Sequence, residues 1–206
     1  MKLDLKILSI ILIFFISISI QASAQIVINE FMSDNTATLA DQDGDYSDWI
    51  ELYNFSNTPI NLLNFSLSDQ DDELNKWTFP AIIIPAQSFL TIIASGKNRL
   101  AIDELHTNFK ISSSGESLYL SDELGQIINQ IEPVALTENK SYGRSPDGSD
   151  NLLPFVFPTP NGSNNLNNQL TFEFNGGFYA NPFFQKMTSL TDDTIYYTLD
   201  GSIPND

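Results

Sequence analysis

Apolar residues recur at every second position along this chain, in short runs separated by turn-forming clusters. That period belongs to strands with one face buried, not to helices. In Trp49-Ile50-Glu51-Leu52-Tyr53, Ile50 and Leu52 fall on one side and Trp49, Glu51 and Tyr53 on the other. Ile26 and Ile28 alternate with Val27 and Asn29 before Glu30 and Phe31. Further strand-like runs are Phe65–Leu67, Trp77–Phe79, Ile82–Ile84, Phe89–Ala94, Ser117–Ser121, Ile127–Ile131 and Ser141–Arg144. Between them lie Asp43-Gly44-Asp45, Ser56-Asn57-Thr58-Pro59, Ser113-Ser114-Gly115 and Ser145-Pro146-Asp147-Gly148. Many short strands with close-set turns predict an all-β sandwich or barrel. The one stretch expected to coil into a helical turn is Asn98–Leu105, too short to alter the class.

The chain has no cysteine, which excludes disulfide frameworks, thiol catalysis and cysteine-zinc sites. Its stability must come from a hydrophobic core. The first residues carry a different signal. Lys2 and Lys6 precede an almost unbroken apolar run from Ile7 to Ile20, and Ala22-Ser23-Ala24 then supplies small residues. This is the pattern of a secretory signal peptide over residues 1–24, cleaved before Gln25. The apolar run is shorter than the roughly 20 residues a spanning helix needs. The expectation is therefore a secreted, extracellular or cell-surface protein with no membrane span after cleavage.

The formal net charge is −17, and loss of the leader removes two lysines and one aspartate. So acidic a surface repels phosphate backbones, which argues against nucleic acid as a partner. It attracts cations and basic partners instead.

A Pro/Asn-rich stretch, Pro158-Thr159-Pro160-Asn161-Gly162-Ser163-Asn164-Asn165, interrupts the strand pattern and reads as a connector. Strand-like sequence resumes at Leu170–Phe174 and Ile195–Leu199. The expected organisation is a leader (1–24), a first β-domain (25–163), a linker (164–169) and an incomplete second β-module (170–206). Two or three strands do not readily make an independent core, so the sequence is expected to stop inside its second module.

The segment from Ile26 to about Ser163 resembles the lamin-tail domain in its bacterial, exported form. The residues that carry this begin with Ile28-Asn29-Glu30, the run from Asp43-Gly44 to Asp48-Trp49-Ile50-Glu51-Leu52-Tyr53-Asn54, and Pro59-Ile60-Asn61-Leu62. Leu67-Ser68-Asp69, Lys76-Trp77-Thr78-Phe79-Pro80 and Ala94-Ser95-Gly96-Lys97 follow. His106-Thr107-Asn108-Phe109-Lys110, Ser114-Gly115-Glu116, Ser141-Tyr142-Gly143-Arg144 and Pro158-Thr159-Pro160 complete the order. Ala86 and Asn161 stand where the family pattern has glycine, which puts the local turn geometry in question. The resemblance implies an immunoglobulin-like β-sandwich acting as a binding or spacer module. The tail from Leu170 is similar, more faintly, to the β-module appended to chitobiase-like and other surface hydrolases. Its marks are Gly176-Gly177-Phe178-Tyr179, Pro182-Phe183 and Ile195–Pro204. This pairing resembles the front of exported proteins that carry a spore-coat-protein-H-like kinase domain, although none of a kinase's own residues are present.

Among candidate sites, the acidic loop offers Asp41, Asp43, Asp45 and Asp48 as hard oxygen ligands for calcium. It departs from the helical calcium-loop pattern, because Gly44 comes early and Glu51 falls one short of the closing position. The competing reading is a solvated turn whose aspartates bond their own backbone. His106, the only histidine, is expected to make a structural hydrogen bond. Glu30 and Glu51 are able to point the same way, as a glycosidase pair would, but in so acidic a chain they read as solvent-facing strand positions. Trp49, Trp77, Tyr53 and Tyr142 are either core or an exposed strip for carbohydrate. There is no phosphate-cradling glycine loop. The resulting expectation is a non-catalytic binding or spacer module with a protein or carbohydrate ligand. The alternative is the accessory region of a larger secreted enzyme.

Overall fold

The computed structural model describes residues 25–164, 170–173 and 184–189. The leader and the Ile195–Leu199 run lie outside the described residues. The first strands are β1 (Ile26–Met32), β2 (Asp48–Asn54), β3 (Ile60–Asn61), β4 (Ser66–Ser68), β5 (Trp77–Thr78) and β6 (Ile83–Ile84). Next come β7 (Ser88–Ala94), β8 (Arg99–Ala101), β9 (Glu104–His106), β10 (Leu118–Ser121) and β11 (Ile127–Ile131). The last are β12 (Ser141–Arg144), β13 (Leu152–Phe155), β14 (Leu170–Phe172) and β15 (Met187–Ser189). Among the described residues there is no helix.

One sheet runs β13-β12-β1-β2-β7-β9-β8 and a second runs β11-β10-β4-β5, with β3-β6 and β14-β15 as separate pairs. Pairing is antiparallel except between β7 and β9. A shared core holds the two larger sheets together. Ile28, Phe31, Ile50, Leu52 and Ile92 from the first meet Leu67, Trp77, Leu118, Leu120 and Ile131 from the second. Each such side chain contributes roughly 1.5–3 kcal/mol on burial, which is how a cysteine-free chain holds a sandwich.

Asn98–Leu105 forms no helical turn. It makes the β8–β9 hairpin, because Thr107 N–H donates to the Ile93 carbonyl (2.9 Å) and so draws the segment alongside β7. β13, with Pro154 inside it, was also not expected from the pattern. The two positions lacking glycine are accommodated differently. Asn161 takes the left-handed backbone itself (φ 61), whereas the turn after β6 places Gln87 there (φ 53) and not Ala86. Asparagine tolerates this region better than most side chains do.

The seven-stranded sheet is covered on its outer face as well. A β-bulge between Ile28 and Glu30 shifts the alternation of β1, so that Phe31 points into the core while Glu30 and Met32 point outward. Three cross-strand rows result: Met32–Trp49–Ile93, Glu30–Glu51–Thr91 and Val27–Tyr53–Phe89. Leu39, from the loop before β2, packs on the first row. The segment after β13 lies over the second.

Candidate functional site

The acidic loop folds back on itself. Gly44 donates to the Asp41 carbonyl (2.9 Å) with φ 84, and Ala40 bridges to Tyr46. One carboxylate oxygen of Asp41 accepts the N–H groups of Asp43 (3.0 Å) and Asp45 (2.9 Å). Asp41, Asp43 and Asp45 thereby gather their carboxylates within 4.8 Å of one another. At their focus stands the Lys97 ammonium, 2.6, 2.7 and 2.8 Å from the three. Arg99 adds a contact of 2.6 Å to Asp43. These hydrogen bonds, Lys97's first, hold the Asp43 carboxyl down at about 2 and lift the Lys97 ammonium well above its ordinary value. Burial works against charge on Asp41, but Lys97 and the two backbone donors outweigh it. Asp48 is not part of the group. It accepts the Ile111 N–H (3.1 Å), and burial pushes its carboxyl up to about 6.

His106 is fully buried. Its Nδ1 lies 2.8 Å from the Ser95 hydroxyl and its Nε2 lies 2.8 Å from a Glu104 carboxylate oxygen. Ser95 Oγ also accepts the Lys97 N–H (3.1 Å). The order serine–histidine–carboxylate resembles a nucleophilic relay, but here Ser95 is itself buried. The relay pins the β8–β9 hairpin to the end of β7, a structural role.

The third cluster is the one sequence reasoning misplaced. Glu30 and Glu51 are not solvent-facing; both are fully buried, directly opposite each other on β1 and β2. Thr159 donates its N–H to Glu30 (3.1 Å), Asn161 donates its N–H to Glu51 (2.6 Å), and Ser141 donates its hydroxyl to Glu30. Asn29, the bulge residue, donates to Glu51 (3.2 Å) and Asp147 (2.9 Å) and accepts from Gly148 N (3.1 Å). Asn164, placed in a linker by its sequence, is fully buried and donates to the Asn29 carbonyl (3.3 Å). It belongs to the sandwich, because its backbone N–H also reaches Asp147 (2.9 Å). Proline and asparagine here shape a strap that seats its donors on buried carboxyls.

The Thr159 hydroxyl ties Asn164 to Glu30. Asn164 uses its amide N–H on Asn29, so its oxygen must accept from the Thr159 hydroxyl beside it. That hydroxyl has a single proton, yet its oxygen also lies 2.8 Å from Glu30 Oε2. Thr159 therefore stands between the two, its hydroxyl set toward Glu30 as well as toward Asn164. Burial is the main force raising both carboxyls, Glu51 to about 8.

The lamin tail domain family matches residues 19–135, more than half of the 206-residue chain. The chain belongs to the lamin tail domain family. No curated protein matches it closely enough to count as a relative. The fold is accordingly that family's immunoglobulin-like β-sandwich, and a lamin tail domain is typically a non-catalytic module. In this lamin tail domain the sheet extends past the matched residues, since β12 pairs with β1 and β13 with β12. The four aromatic residues weighed for a carbohydrate strip do not form one: Trp49, Trp77 and Tyr53 are buried, and Tyr142 packs edge-on against Phe31 (6.2 Å). A glycosidase needs two carboxyls open to a sugar, and the strap seals Glu30 and Glu51 from any. Lys97, Asn29, Asp147 and the strap donors were not singled out from sequence. The only sequence signal for them is their place in or beside the family pattern.

Proposed function

We propose that this lamin tail domain is a non-catalytic binding or spacer module of a secreted or cell-surface bacterial protein, exported by a leader that is cleaved after Ala24. One observation carries the reading. Among the described residues, the three clusters with chemical potential are committed to holding the sandwich: Asp41, Asp43 and Asp45 to Lys97, His106 to Ser95 and Glu104, Glu30 and Glu51 to the strap. A second reading, an accessory region of a larger exported enzyme such as a spore-coat-protein-H-like kinase or a hydrolase, is favoured by the resemblance of the tail to a chitobiase-like module. Purification of the native protein from its cells and medium tests both. An N-terminus at Gln25 and a mass slightly below 23.0 kDa support the module alone. The same N-terminus on a much larger species supports the accessory reading, and an uncleaved Met1 removes the exported assignment.

A further inference from the structure

β7 is paired with β2 along its whole length but with β9 only at one end. Its register with β2 is unbroken from Asp48↔Ala94 to Asn54↔Ser88, whereas β9 meets it at the single position Ile93↔His106. Because the Ile93 carbonyl faces β9, strand alternation turns the N–H and C=O groups of Thr91 and Phe89 to the same side. Among the described residues nothing pairs with them there. Edges of this kind are ordinarily blunted by charge, proline or a bulge. The opposite edge of the sheet, β13, carries Pro154. Ser88-Phe89-Leu90-Thr91-Ile92-Ile93-Ala94 has none of these devices, and Phe89, Leu90 and Thr91 are only half-buried.

A groove of about 210 Å³ lies beside this edge, lined by Leu39, Phe89, Thr91, Ile93, Asp103 and Glu104. Leu39, Phe89 and Ile93 give it an apolar part, and Asp103 and Glu104 an acidic one in which Glu104 is already held by His106, Arg99 and the Gln42 N–H. Lys97 and Arg99 are engaged by Asp41, Asp43 and Asp45, and Arg99 also by Glu104, which leaves Asp103 as the groove's carboxylate without an ion-pair partner among the described residues. A second copy of the chain would bring another net charge of −17 to the same place. We propose that the free edge of β7, Ser88–Ile92, is a strand-addition site for an extended, lysine- or arginine-bearing segment of a partner protein. The partner's backbone completes the ladder at Phe89 and Thr91, as in β-augmentation. Its alternate side chains lie in the groove, with a basic one reaching Asp103. The inference rests on the reading of the chain as a binding module and names how it binds.

The test is an amide NMR titration of the chain from Gln25 to Asp206 with an eight-residue peptide alternating lysine and valine. Saturable one-to-one binding is expected, with the largest shifts at the Phe89 and Thr91 amides. A glutamate–valine peptide, or the lysine peptide N-methylated at alternate amides, binds at least tenfold more weakly. Asp103→Lys, at an exposed turn, weakens the lysine peptide several-fold without altering the melting temperature. Thr91→Pro removes the outward N–H, along with the hydroxyl's bond to Asn161 Oδ1 (2.9 Å), and abolishes binding, with folding checked by melting and with Thr91→Val, which loses the hydroxyl alone, still binding. No saturable binding of the lysine peptide, or equal binding of its glutamate counterpart, overturns the proposal. Shifts centred away from β7 overturn the edge site while leaving the module reading intact. Substrate turnover by the chain would sink the module reading without touching the edge.

Discussion

Two groups of carboxyls sit some way apart on this sandwich and are handled in opposite ways. In the loop before β2, three aspartates converge on Lys97, with Arg99 beside them; Asp41 is lowered and Asp43 is held down at about 2. Under the strap, Glu30 and Glu51 face each other across β1 and β2, with Asp147 nearby and no cation among their hydrogen-bond partners. There burial dominates, and Glu51 keeps its proton up to about 8. What separates the two groups is supply of compensation. A partly exposed cluster can recruit a flexible ammonium. A sealed one between two strands is left with neutral donors, and the less costly state is the protonated acid.

The severest way to break the comparison is to crowd the sealed cluster. Gly143 on β12 lies against it with no room for a side chain. A Cβ there would stand 2.7 Å from the Asn29 carbonyl oxygen, 2.8 Å from Asn164 Nδ2 and 3.0 Å from Glu30 Cβ. The nearest of these is backbone and cannot swing aside. Gly143→Ala is expected to cost about 3 kcal/mol, the upper part of the overpacking range, and to free the strap. Urea unfolding reads the loss, and amide exchange at Thr159 and Asn161 reads the release. Gly125 makes the contrast: a Cβ there meets no atom within 4 Å, though its φ of 75 keeps it a strained site for alanine. Protection of the strap amides should survive Gly125→Ala. If Gly143→Ala leaves strap exchange unchanged, the strap is not anchored where the structure places it.

The second effect is on pH dependence, and the two clusters give it opposite signs. Glu51 has its folded value near 8 against an ordinary 4.5, so between those values the native state holds a proton that the unfolded chain releases. Stability from this group is complete below about 4.5 and declines as pH rises through 8, by up to roughly 1.4 kcal/mol per pH unit. Asp48, raised to about 6, and Glu30, raised mainly by burial, tilt the curve the same way. Asp43, lowered to about 2 from 3.8, contributes stability above 3.8 that is lost as pH falls toward 2. A melting curve taken from pH 2 to pH 9 should therefore peak near pH 4 to 5 and fall on both sides. Glu51→Gln should flatten the alkaline limb, and Asp43→Asn should flatten the acid one. A limb that does not respond to its own substitution breaks the assignment of that limb.

How much of this was readable beforehand differs between the fold and the sites. The period-two pattern located β1, β2, β7, β10 and β11, because each has an inner face of Ile, Leu or Phe that only one register buries, and β12, whose Tyr142 packs against the core. It missed β8 and β9, whose place is set by a backbone bond to Ile93, and β13, where Pro154 argues against a strand. Glu30 and Glu51 looked solvent-facing because alternation reports which residues share a face, not whether a distant segment covers it. The cover comes from Thr159 to Asn164, about 110 to 130 positions along the chain. Likewise the acidic loop was legible as a cluster of like charge. Lys97, more than fifty residues away, was not legible as its counterion.

The smallest expected effect concerns that counterion and decides the calcium reading. In the parent chain an added divalent ion has to displace an ammonium held by three carboxylates at 2.6, 2.7 and 2.8 Å. Millimolar calcium is then expected to leave the melting temperature unchanged, whereas raising salt weakens the cluster by screening. Lys97→Met keeps the length of the side chain and removes the charge, leaving Asp41, Asp43 and Asp45 within 4.8 Å of one another and mutually repulsive. The variant should melt a few degrees lower, and calcium should recover part of that loss while magnesium, which demands stricter geometry, recovers less. Because Asp48 faces Ile111, Asp48→Asn should not alter the calcium response. A calcium-induced rise in the parent equal to that in the variant would mean that Lys97 yields its place readily. The loop would then be a cation site in the natural chain, and the contrast between a charge-compensated cluster and a protonated one would have to be redrawn with calcium as the compensating ion.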